Sequence, residues 1–221
     1  GVELLRGLDY AHRKMDGHGR VLNLVHRDIS PSNVVVSWEG TVKLLDFGIA
    51  KAIGRAEATR TGVLRGKVGY MSPEQARGES IGPASDLFST GVVIYELLTA
   101  QRLFDGDSEV EVLERVKVAA IPPLREKNPH VPAELEAILG KALTRDASTR
   151  WSSAAEFLGA LNKFLFASGL PADSATTTAW LREMFPEDTI AEEFDARTAT
   201  HGVSASTPGM SRISPIALQL G

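Results

Sequence analysis

The chain has 221 residues, 43% of them hydrophobic, with a formal net charge of -4 and no cysteine; a domain of this size hides about 70% of its unfolded surface. The mild negative charge gives no electrostatic footprint for nucleic acid or an anionic membrane. The missing cysteine excludes disulfides, thiolate zinc sites and cysteine nucleophiles, and fits a reducing, cytoplasmic setting.

Val2, Leu5, Leu8 and Ala11 recur at helical spacing, so residues 2 to 14 read as an amphipathic helix stopped by the polar Asp16-Gly17-His18-Gly19 turn. Val34-Val35-Val36 and Thr41 to Leu45 flank Trp38-Glu39-Gly40 and predict a β-hairpin. Such a pair can bring Asn33 beside Asp46, two oxygen donors suited to a hard cation. From Asp86 to Leu98 nearly every side chain is apolar or small, which predicts a helix buried on most sides. Its apolar run Gly91 to Tyr95 ends at Glu96, far short of the ~20 residues a membrane span needs. Further helices are predicted over 108–119, 133–144 and 152–166, each behind a Ser or Pro start signal. Beyond about 168 Ala, Ser and Thr rise, and periodicity survives only around Trp180 to Phe185; residues 167–221 read as a linker, one helix and a disordered tail. Gly1 opens no secretory leader, and the chain reads as an internal piece of a longer protein.

The chemistry concentrates in His26-Arg27-Asp28-Ile29-Ser30-Pro31-Ser32-Asn33 and Asp46-Phe47-Gly48. Taken singly, Asp28 is a turn residue and Asp46 a strand-end carboxylate. In this order and spacing they match the catalytic loop and magnesium loop of phosphoryl transfer: Asp28 as base, Asn33 and Asp46 as metal ligands. On these motifs the chain resembles the eukaryotic-like serine/threonine protein kinases of bacteria, over residues 1 to 166. The resemblance implies a mainly α fold with a short β-hairpin, the kinase-like C-terminal lobe without its N-terminal lobe. It also implies ATP and Mg²⁺ as cofactors and a protein serine or threonine as acceptor. Nucleic acid is not an expected partner, and no membrane segment is expected in this span.

By the same resemblance His26, Phe47 and Gly48 hold the two loops together. Glu74, in Ser72-Pro73-Glu74, pairs with Arg150, and Asp86 bonds to the catalytic-loop backbone. Arg27, directly before the base, would receive a phosphate carried by Thr59 or Thr61. His12, His18, His130 and His201 share no metal-ligand spacing and receive no role. Two positions depart from the family. Ser30 stands where a lysine is usual, and Lys67, in Gly66-Lys67-Val68, where a threonine is usual. The expectation is an exchange, with Lys67 supplying the ammonium and Ser30 the hydroxyl; the plain alternative is a solvent-facing Lys67 and a Ser30 that caps a turn.

The glycine-rich loop, strand lysine and helix glutamate of the other lobe have no counterpart here, and Gly17-His18-Gly19 is a turn. Residues 1 to 221 alone are therefore expected to lack useful activity. A pseudokinase or interaction module competes with the active-kinase reading, but the intact Asp28, Asn33 and Asp46 favour catalysis. A small-molecule phosphotransferase is disfavoured by the long activation segment ending in Ser72-Pro73-Glu74.

Overall fold

The computed structural model describes residues 1–47, 67–170 and 173–185. Within them the chain is mainly helical around one antiparallel hairpin. Helix α1 spans Val2–His12 and buries Leu4, Leu5, Leu8 and Ala11. It ends two residues before the predicted limit, where the chain turns back and Met15 bridges Val21. Asp16 closes that turn by accepting from the backbone N–H groups of His18 and Arg20.

Strands β1 (Val34–Val36) and β2 (Val42–Leu44) pair antiparallel, with Val34 opposite Leu44 and Val36 opposite Val42. β2 lies against α1, and Val34, Val42 and Leu44 pack against the core. After the hairpin come α2 (Pro73–Arg77), α3 (Pro83–Thr99), α4 (Glu109–Val118), α5 (Leu124–Lys127), α6 (Ala133–Ala142), α7 (Ala154–Ala167) and α8 (Ser174–Met184). Helix starts follow local chemistry. Ser72, Ser108, Ser153 and Asp173 each cap the third residue of the following helix with a side-chain oxygen, satisfying N–H groups that a helix start otherwise leaves unpaired.

α3 is the central post. Every residue from Ser85 to Glu96 is buried, a pattern no surface helix has. α1, α6 and α7 pack around it, with Leu5, Leu8, Phe88, Val92, Leu139, Leu143 and Phe157 in the core. The α3–α6 approach depends on Gly91, where a Cβ would stand 3.1 Å from Leu143 Cδ2 and 3.3 Å from Ala142 Cβ. No helix among the described residues is long and apolar enough to cross a membrane.

Candidate active site

The site is built outward from the start of α3. Asp86 is 1% exposed and accepts three hydrogen bonds: from His26 N at 2.8 Å and from His12 Nε2 at 2.8 Å on Oδ2, and from Arg27 N at 2.9 Å on Oδ1. The second hold on the loop is Gln75, whose Nε2 donates to Arg27 O at 2.9 Å. Arg27 needs both, because its φ of 67° lies in the left-handed region, where a non-glycine residue costs roughly 1–3 kcal/mol and persists only when its surroundings over-determine it. The rigid carboxylate on a buried helix therefore fixes the backbone that presents Asp28.

His26 joins the two motifs. It is fully buried; its Nδ1 accepts from Asp28 N at 3.3 Å, and its Nε2 faces Leu45 O at 2.8 Å. An acceptor role at one nitrogen and a carbonyl at the other select the neutral ring protonated on Nε2. The Phe47 ring packs on it at 4.7 Å between centroids. One imidazole thus ties the Asp28 backbone to the carbonyl preceding Asp46 and to the residue following it.

Asn33 closes the other side. The amide Nδ2 donates to Asp28 O at 2.6 Å, which commits its donor end and leaves Oδ1 as the oxygen available to a cation. Leu45 N donates to Asn33 O at 2.8 Å, extending the hairpin ladder so that Asp46 follows directly. Asp46 has a φ of 52° and is exposed. An amide oxygen and a solvent-facing carboxylate fit Mg²⁺, which keeps waters and substrate phosphates among its ligands and takes few from protein. Among the described residues no three His, Cys, Asp or Glu side chains gather as a metal cluster.

Lys67 reaches Asp28 directly, Nζ donating to Oδ2 at 2.9 Å. The Ser30 hydroxyl is buried and pairs with Ser32 Oγ at 2.9 Å. Gly48, Thr59 and Thr61, the remaining residues singled out in the loops, lie outside the described residues.

The remaining pair sits beneath. Glu74 and Arg150 form a two-pronged ion pair at 2.8 Å on each prong, with Ser85 Oγ donating to Glu74 at 2.6 Å. Arg150 also donates to Ala84 O, Thr144 O and Arg145 O and lies over the Phe88 ring. Burial acts to raise the Glu74 carboxyl, but the Arg150 and Ser85 hydrogen bonds outweigh it and bring it from 4.5 down to about 2. Nearby, buried Glu96 accepts from Tyr70 Oη at 2.6 Å and from Leu103 N at 3.0 Å, tying the 3-10 turn Val68–Tyr70 to α3. Burial, reinforced by that bond, pushes the Tyr70 hydroxyl above its usual range.

Three of these residues escaped the sequence reading. His12 received no role, yet it is half-buried and bonded to Asp86; helical spacing from Leu5 and Leu8 put it near the core face, but only the fold supplies a carboxylate 74 residues away. Gln75 was legible as half of a capping box with Ser72, but its reach to Arg27 was not. Glu96 interrupts an apolar run, the one signal that marked it.

A family model, described as protein kinase domain, matches residues 2–161. A relative from Myxococcus xanthus, named tyrosine-protein kinase MasK, is 41% identical over 210 residues, covering 93% of this chain and 32% of its own length. A span of that coverage takes in all of α8. A probable serine/threonine-protein kinase PknB of Lactococcus lactis is 42% identical over 157 residues, 71% of this chain and 24% of that protein. The serine/threonine-protein kinase PknB of Mycolicibacterium smegmatis is 39% identical over 158 residues, 70% of this chain and 24% of that protein. The chain spans a third or less of the length of these relatives. With the family model covering most of the chain and the motif residues meeting around one loop, the chain belongs to the protein kinase domain family, among the eukaryotic-like kinases of bacteria.

Proposed function

We propose that this chain is the catalytic-loop half of a protein kinase that transfers the γ-phosphoryl group of ATP to a serine or threonine hydroxyl of a protein. Residues 1–166 form the C-terminal lobe, and residues 167–221 form an extension that carries α8. The observation that supports this best is the Asn33 amide bonded to the Asp28 carbonyl, which joins the base and one metal ligand of this reading in a single loop. In this reading the Asp28 carboxylate orients the acceptor hydroxyl and takes its proton. Asn33 Oδ1 and the Asp46 carboxylate hold magnesium. When bound, magnesium–ATP supplies the phosphoryl group and the neutralising charge. The Lys67 ammonium, 2.9 Å from Asp28, adds positive charge where negative charge develops. Ser30 completes the loop through Ser32. Arg27 is placed to pair with a phosphate on Thr59 or Thr61. The nucleotide-holding lobe is supplied by the longer protein, so residues 1–221 alone are inactive.

The acceptor has a second reading. The relative that covers 93% of this chain carries a tyrosine-kinase name, and Ser30 replaces the lysine that the serine/threonine resemblance would supply. Both readings are separated by incubating the full-length protein with magnesium–ATP and analysing phosphoamino acids on itself and on a mixed peptide library. Phosphoserine or phosphothreonine supports the first reading; phosphotyrosine alone replaces it with the second. No transfer to any hydroxyl would leave a pseudokinase.

A further inference from the structure

The family model ends at residue 161, and the chain then builds one more helix, α8, which lands on the turn of the hairpin that ends in Asn33 and Asp46. The contact is close and specific. At Gly40 an added Cβ would stand 2.1 Å from Ser174 O and 2.9 Å from Thr178 Oγ1, so only glycine lets the first turn of α8 approach the backbone there. At the other end of the helix the Phe185 ring meets Trp38 edge-on at 6.2 Å. Leu181 between them is 3% exposed, and Asp173 fixes the helix start by accepting from Thr176 N at 2.8 Å. Two turn residues, Trp38 and Gly40, are thus held by the two ends of one helix.

The hairpin needs such support. It has only two strands of three residues each, and an isolated two-stranded hairpin is marginal in water. Its α1 side is packed through β2; its turn is otherwise held by its own bonds, Gly40 N to Ser37 O at 2.9 Å and Ser37 N to Thr41 O at 2.8 Å. The strands run at ~3.3 Å per residue, and only three paired positions separate the turn from Asn33 and Leu45, so a displacement at the turn has a short way to travel. The span shared with the Myxococcus relative includes α8, whereas the domain model does not reach it.

We propose that α8 is a strap, with Trp38, Gly40 and Phe185 as positioning residues, that sets the hairpin and through it the Asn33–Asp46 pair, so that a segment beyond the kinase domain tunes magnesium–nucleotide binding. The strap rests on the reading of Asn33 and Asp46 as metal ligands. It differs from a helix that only adds buried surface, because it predicts an effect on nucleotide affinity separate from the acceptor.

The test uses the full-length protein with three variants: Gly40→Val, which collides with Ser174; Leu181→Asp, which unseats α8; and Trp38→Ala, a softer loss of the far contact. Hydrogen exchange is followed at the amides of residues 34–36 and 42–44, together with KM for magnesium–ATP and for a peptide acceptor. The expected result is faster hairpin exchange and a KM for magnesium–ATP raised about fivefold, the scale of a modest coupling, with the acceptor KM unchanged. Gly40→Val combined with Leu181→Asp should be no worse than either alone, since both remove the same contact. Additive effects would mean that Gly40 acts through turn strain, and exchange that speeds up only within α8 would mean plain packing; either overturns the strap. A wild-type protein without kinase activity would overturn the function proposed above, and hairpin exchange would still decide the strap, with unchanged hairpin amides contradicting it.

Discussion

The two ends of the Asp86 neighbourhood make a useful contrast. One residue before Asp86, Ser85 braces Glu74 against Arg150, a buried pair in which each prong meets a partner and the guanidinium has three carbonyls besides. From Asp86 itself hangs the loop that carries Asp28, with left-handed backbone at Arg27 and again at Asp46, and with Asp46 open to solvent. The first region spends its charge on holding helices together. The second stores strain and keeps oxygen donors accessible, as sites that must accept a ligand do. The difference predicts that damage to the first region is read in stability, and damage to the second in turnover.

The sharpest way to break the contrast is Asp28→Asn in the full-length protein. Turnover should fall about 10²- to 10⁴-fold, the usual worth of a positioned base, while the melting temperature stays close to wild type; a large loss of stability would erase the distinction. Arg150→Ala should do the reverse, costing ~3–5 kcal/mol in denaturant unfolding because Glu74 is left buried without its partner. The pair also carries a pH signature. Because the Glu74 carboxyl is held at about 2 against an ordinary 4.5, its contribution is complete above pH 4.5 and is lost as the pH falls from there towards 2. Thermal melts across that window should decline more steeply in wild type than in Glu74→Gln.

A smaller effect sharpens the boundary between the regions. His12→Ala removes one of three donors from buried Asp86 and should cost ~1–3 kcal/mol, with a partial loss of turnover, since Asp86 also holds the strained Arg27. An unchanged unfolding curve would mean that the two backbone donors suffice.

How far the sequence went follows from the range of the physics involved. The hairpin, the buried post and the later helices were legible because periodicity and start signals are local: the predicted 108–119 became Glu109–Val118 and 152–166 became Ala154–Ala167. α3 began earlier than the apolar run suggested, at Pro83, because proline suits the first turn of a helix. α8 was sensed only around Trp180 to Phe185, since the Ser-Ala-Thr-Thr-Thr start of Ser174–Met184 carries weak periodicity and is stabilised by docking. The motif residues were legible as a constellation, but their wiring was not. Asn33 to the Asp28 carbonyl, His26 to the Leu45 carbonyl and His12 to Asp86 join positions 5, 19 and 74 residues apart; the first two acceptors are backbone groups, which leave no mark in a pattern of side chains, and the third pair meets only through the fold. Lys67 was expected to bring its ammonium to Asp28 and lies 2.9 Å from it; the Ser30 hydroxyl, expected at the same carboxylate, pairs with Ser32.

In the proposed function Asn33 and Asp46 together hold the metal that carries the nucleotide. The direct measurement is magnesium–ATP binding by titration calorimetry in the full-length protein, wild type against Asp46→Asn. The account predicts that magnesium-dependent affinity falls at least about tenfold, as loss of one carboxylate from a hard-cation site requires, with the melting temperature unchanged. Equal magnesium-dependent affinity in the two proteins would contradict it.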